Sequence, residues 1–112
     1  MERPFAKAYN ARSVQAMAAL LAPDATTELV GSGFPPEQGA GAIREGSFAH
    51  LLEGQGLAAS AIEVEGTAYV AFREADGTLD SLAALTTQDG TITRLRYHTR
   101  WHDAAFVEGV GA

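Results

Sequence analysis

Apolar positions recur at helical spacing through the first part of the chain, where Phe5, Ala8, Tyr9, Val14, Met17, Leu20 and Leu21 stand in an alanine-rich background. Ser13 interrupts this pattern as an N-cap for a second segment starting at Val14. Pro23 is expected to end that segment, because the residue before a proline is pushed out of the α region. Thr26 to Val30 is rich in β-branched residues and reads as a short strand. The run Gly31-Ser32-Gly33-Phe34-Pro35-Pro36 reads as loop, and Gln38 to Gly41 leads into an amphipathic helix from about Ala42 to Glu53, closed by Gly54 and Gly56. From Ala58 the period changes to two. Alternating runs cover Ala61 to Glu74, Thr78 to Thr87 and Thr91 to His102, separated by Asp76-Gly77 and Asp89-Gly90. Asp-Gly between alternating runs is a strong hairpin signal. The glycine-containing tail from Asp103 to Ala112 is expected to fray.

If each Asp-Gly is a two-residue loop, the pairing follows by counting. Arg73 stands opposite Asp80, Ala71 opposite Leu82 and Tyr69 opposite Ala84. Across the second turn Asp80 meets Thr99, Leu82 meets Tyr97, Ala84 meets Leu95 and Thr86 meets Thr93. One face then carries Tyr69, Ala71, Arg73, Asp80, Leu82, Tyr97, Thr99 and Trp101. The other carries Val70, Phe72, Ala83, Leu85 and the polar stripe Arg94, Arg96, His98, Arg100 and His102.

At 112 residues, with 46% apolar and 20% charged positions, the chain is expected to form one globular domain over residues 1–112. Its net charge of −6 opposes binding to a phosphate backbone, so nucleic acid is not an expected partner. With no cysteine there is no thiol nucleophile, thiolate metal site or disulfide. No stretch approaches the ~20 apolar residues of a membrane span and no apolar leader follows Met1, so a cytoplasmic protein without a membrane partner is expected. His98 and His102 are four apart, but on a strand that spacing separates them by ~13 Å, too far to share one metal ion. The residues call for no metal and no cofactor.

Three segments, Ala8-Tyr9-Asn10-Ala11-Arg12-Ser13, Leu20-Leu21-Ala22-Pro23-Asp24-Ala25-Thr26 and Gly41-Ala42-Ile43-Arg44-Glu45, resemble SnoaL-like members of the nuclear transport factor 2-like superfamily. The resemblance implies an α+β fold. In it a curved, mostly antiparallel sheet carries the N-terminal helices over its concave face, as a cone-shaped α+β roll with a pocket between helices and sheet. It implies that the face with Tyr69, Leu82 and Trp101 lines that pocket. The ketosteroid isomerases of this superfamily use an aspartate base, an oxyanion-hole tyrosine and a protonated aspartic acid, which the resemblance carries to Leu29, Phe5 and Leu82. Such side chains can neither remove a proton nor donate a hydrogen bond to an enolate.

Arg73 with Asp80 can orient a ligand carbonyl or carboxylate, and equally can be a cross-strand pair contributing about 0.2–1 kcal/mol to the sheet. Tyr69, Tyr97 and Trp101 can wall a ligand cage or be ordinary core aromatics. Two functions remain open. One is a domain binding a small hydrophobic molecule through Tyr69, Arg73, Asp80, Tyr97, Thr99 and Trp101, without steroid isomerase chemistry. The other is a SnoaL-like isomerase, cyclase or lyase with Asp80 as acid-base residue, supported by Arg73, Tyr97 or His50. The apolar set Val70, Phe72, Ala83 and Leu85 on the opposite face predicts a homodimer joined through that face.

Overall fold

The computed structural model describes residues 1–53 and 56–111. The chain opens with helices α1 (Glu2–Asn10) and α2 (Val14–Ala18). As the sequence predicts, Ser13 caps α2, its hydroxyl accepting from the amide of Ala16 at 3.1 Å. Strand β1 (Leu21–Leu29) begins earlier than the β-branched run implies, and it holds Pro23. Proline is tolerated there because the pairing with the neighbouring strand breaks between Leu21 and Thr26, where no ladder N–H is required. A two-residue strand, β2 (Glu37–Gln38), follows. The expected second helix is wound in three pieces: α3 (Ala40–Ile43), a π turn over Arg44–Phe48, and α4 (Ala49–Glu53). Gly54, expected to help close it, lies outside the described residues.

Strands β3 (Ala58–Val64), β4 (Thr67–Arg73), β5 (Leu79–Gln88) and β6 (Thr91–Thr99) complete the sheet, in spatial order β2-β1-β6-β5-β4-β3. Neighbours are antiparallel except β1 with β6, which run parallel. The alternating run Ala61 to Glu74 is two strands, not one. Its turn is Glu65-Gly66, both at positive φ, and Val64 pairs with Thr67. Alternation continues through so short a turn, which is why the periodicity hides it.

Two inserted residues revise the counted register. The Asp76-Gly77 loop closes one residue wider than two, with Glu74 and Thr78 paired across it. Asp80 is then an extra residue on β5, since Phe72 pairs with Ser81 but Arg73 pairs with Leu79. The two departures cancel, so Ala71 does oppose Leu82. Arg73 does not oppose Asp80. At the second hairpin Asp89-Gly90 is a two-residue loop with both φ positive, and Gln88 pairs with Thr91. Thr93 is then the extra residue, since Thr87 pairs with Ile92 and Thr86 with Arg94. Beyond it Leu82 opposes His98 and Ala83 opposes Tyr97, one step from the counted pairing.

The faces change accordingly. Val70, Phe72, Ala83, Leu95 and Tyr97 share the inner face, in one core with Phe5, Tyr9, Met17, Ile43 and Phe48 of the helices. Phe72 meets the ring of Tyr9 edge-on at 4.9 Å, and Phe5 meets Phe48 at 5.7 Å. The side-chain amide of Asn10 donates to the carbonyl of Ala59 and accepts its amide hydrogen, both at 2.8 Å, tying α1 to edge strand β3. Tyr69, Ala71 and Leu82 belong to the outer face. That face is covered by a helix the sequence does not reveal, α5 (Ala104–Gly111), through Phe106, Val107 and Val110. The segment expected to fray is thus packed. His98, expected on an open polar face, lies under α5, stacked on Phe106 and 2.8 Å from the carboxylate of Asp103. Val70, Phe72 and Ala83, expected at an exposed face joining two copies, are buried in the core of one chain, with Leu85 partly buried against it.

Farther along the outer face, Glu28 accepts from Arg96 at 3.0 Å and Arg94 at 3.1 Å. The Arg96 hydrogen bond, aided by the charges of Arg96 and Arg94 against some desolvation, holds the Glu28 carboxyl below its ordinary value. A depressed carboxyl contributes stability above its unfolded value that is lost as pH falls through its folded one. Glu28→Gln should therefore lower the neutral plateau of a stability-versus-pH curve slightly and flatten its acid limb, the two proteins converging at low pH. The inner-face assignment has its own check in urea unfolding. Phe72→Ala should cost about 3–5 kcal/mol, whereas Thr86→Ala at an exposed site should stay within about 0.5 kcal/mol.

Candidate functional site

A pocket of about 460 Å³ opens between the inner face and the turn from α3 to α4, within the range of small-molecule sites. β1 contributes Thr27 and Leu29 to it, β6 contributes Tyr97 and Thr99, and β5 contributes Ser81. Opposite them stand Glu37 of β2, Gly46 and Ser47 of the π turn, and Leu51 of α4. Phe34, Pro35, His50, Trp101 and His102 surround the entrance.

The wider π turn sets the polar end. A π turn inserts one residue into a helix and displaces backbone groups from the α ladder. Here the amide of Ser47 donates to Glu37 Oε2 at 3.2 Å, while the hydroxyl of Thr27 donates to Oε1 at 2.9 Å. The carboxylate lies so close to Gly46 that a Cβ there would overlap Glu37 Oε2. Glycine is needed for that approach.

Tyr97 reaches the same corner. Its hydroxyl is fully buried and lacks a hydrogen-bond partner of good geometry, and the same holds for the nearby hydroxyl of Ser47. Burial pushes the phenol well above its ordinary value, the charge of Glu37 adds to the rise, and Ser47 opposes it. Tyr97 is therefore a neutral donor at all ordinary pH. Two buried hydroxyls that lack a well-formed hydrogen bond, beside a carboxylate in a pocket with apolar walls, can bind a polar group on an otherwise apolar molecule.

Loop geometry holds the entrance. Ser32 donates to the carbonyl of Leu29 at 2.7 Å and accepts from the amide of Phe34 at 3.0 Å. Gly31, at φ +80°, lies against the carbonyl of His102, where a Cβ would collide. Phe34 and His102 consequently face each other edge-on at 6.1 Å. Phe34 is 65% exposed and Trp101 72%, the large apolar side chains left open to solvent among the described residues.

Of the residues singled out in the sequence, the fold brings Tyr97, Thr99 and Trp101 to this pocket and His50 to its mouth, 3.7 Å from Glu53. Tyr69 is on the other face, edge-on to Phe106 and His98. Arg73 borders a separate groove with Arg100 and α5, its guanidinium 3.4 Å from the hydroxyl of Ser60. Asp80 does not border the pocket. Its carboxylate is 3.7 Å from Arg100, which also pairs with Glu74 at 3.5 Å and lies over the ring of Trp101. Counting along the strand puts Asp80 on the face of Leu82, and that face lies under α5, away from the pocket. Leu29 does line the pocket, but Leu82 packs under α5 and Phe5 in the helix core. Glu37, Ser47 and Ser81 carry no signal of a site in the sequence. Glu37 follows a proline-glycine loop without a periodic pattern, and the π turn that aims Ser47 has no local signature.

Two substitutions separate the roles of these groups. Tyr97→Phe removes an unpaired buried hydroxyl, so in thermal unfolding without ligand it should be neutral or stabilising by up to about 1 kcal/mol. Gly46→Ala forces the Glu37 carboxylate off its hydrogen bonds with Thr27 and the Ser47 amide and should destabilise by about 1 kcal/mol.

No protein-family profile matches the chain, and no curated protein matches it. Solved structures do. An NTF2-like protein of unknown function from Burkholderia xenovorans LB400 superposes with a TM-score of 0.68 at 12% identity, over 86% of this chain and 77% of that one. A proposed polyketide cyclase from Sinorhizobium meliloti gives 0.59 at 25% identity, over 83% and 88%. The epoxide hydrolase/cyclase-like enzyme SalBIII, of pyran ring formation in the polyether salinomycin, gives 0.61 at 19% identity, over 83% and 82%. With a six-stranded mixed sheet that stays open, helices over its inner face and these structural neighbours, the chain has the nuclear transport factor 2-like fold.

Proposed function

We propose that the protein binds a small, mostly apolar molecule in the inner-face pocket, with one polar group of the ligand seated at Tyr97 and Ser47. The observation that carries this reading is the buried hydroxyl of Tyr97, which lacks a well-formed hydrogen bond, in a residue that lines a pocket of about 460 Å³. A buried donor left unpaired costs about 1–3 kcal/mol, and a ligand acceptor would recover part of that. Leu29, Phe34, Leu51 and Trp101 supply apolar contact around it. Structural neighbours that include cyclase-like enzymes fit a pocket for a compact organic molecule. Acid-base chemistry through Asp80 has no support in the geometry, since Asp80 pairs with Arg100 away from the pocket.

The neutral fluorescent probe N-phenyl-1-naphthylamine tests the reading. Its emission should rise on addition of the protein, with micromolar affinity. Thr99→Trp, which fills the pocket, should weaken binding roughly tenfold, equivalent to about 1.4 kcal/mol, while circular dichroism confirms an intact fold. Absence of binding, or equal binding by the filled variant, would remove the proposal.

A further inference from the structure

We infer that Glu37 makes the pocket selective for neutral hydroxyl compounds (alcohols, phenols or enols) and turns away carboxylates. The inference rests on the binding proposal above and concerns the same site. Thr27 and the Ser47 amide fix the two oxygens of Glu37, one donor to each. A carboxylate offers about four acceptor positions, so further donors can still be received. Among the described residues no arginine, lysine, histidine or chain terminus lies within ion-pair distance of Glu37. A ligand carboxylate arriving at Tyr97 would meet this charge with no cation between them, and the two like charges would repel.

The three polar groups together specify the partner. Glu37 only accepts, whereas Tyr97 and Ser47 each have a hydrogen to give. Ser47 belongs to both sides of the arrangement, its amide on Glu37 and its hydroxyl beside Tyr97. A ligand hydroxyl matches this set, donating its hydrogen to Glu37 and accepting from Tyr97 through its oxygen. A protonated amine can donate to Glu37 but has no lone pair to take the tyrosine hydrogen. A ketone accepts from Tyr97 but has nothing for Glu37.

Displacement of N-phenyl-1-naphthylamine from the full chain at pH 7 by four ligands of one shape tests this. The four are 2-naphthol, naphthalene, 2-naphthoic acid and 2-naphthylmethylamine. The naphthol should bind at least about tenfold more tightly than either naphthalene or the naphthoate. In Glu37→Gln, with its fold verified by circular dichroism, naphthol and naphthoate should come within about threefold of each other. Equal binding of naphthol and naphthoate by the native protein, or tightest binding by the amine, overturns the selectivity while leaving the pocket proposal standing. Failure of the fluorescent probe and all four naphthalenes to bind removes both.

Discussion

A single extra residue in β6, Thr93, decides which side chains the pocket receives. Successive residues of a strand point to opposite faces, so an insertion turns every later position over. Leu95, Tyr97 and Thr99 thereby join Val70, Phe72, Ser81 and Ala83 on the face toward the helices, and His98 goes to the face under α5. Without the bulge, Tyr97 would share a face with Leu82 and lie against α5. The buried phenol and the contribution of β6 to the pocket depend on this one offset.

The site joins two kinds of irregular backbone. On the sheet side the Thr93 bulge supplies Tyr97, and on the helix side the π turn supplies Gly46 and Ser47. Glu37 stands between them, held by Thr27 of its neighbouring strand and by the Ser47 amide. Each departure from regular geometry gives up some local hydrogen bonding, and tertiary packing compensates, as Phe48 at the end of the π turn packs on Phe5. Irregular elements converging on one pocket are characteristic of sites under functional constraint. The outer face shows the contrasting case. There His98 stacks on Phe106 with Tyr69 edge-on to both, and Glu28 with its two arginines stays near solvent as a surface ion network.

Local chemistry was legible wherever one residue type forces one conformation. Ser13 reads as a cap, Asp89-Gly90 as a two-residue turn, and the resemblance of three short segments led to the α+β fold that the structural neighbours share. Tyr97, Thr99 and Trp101 were legible as candidate wall residues because aromatic and β-branched positions near the end of the last strand must lie on one face or the other. What the sequence could not determine was which face. Asp80 and Thr93 look like ordinary strand residues, and a bulge is stabilised by what packs on either side of it, not by its own side chain. The helix α5 was illegible for a related reason. A segment with two glycines has weak intrinsic helicity, and it holds its shape by burying Phe106 and Val107 on Leu79 and Leu82, partners far back in the chain. Glu37 became a site residue only when folding placed a glycine and a serine amide from the π turn against it, since a carboxylate's environment is made by neighbours in space.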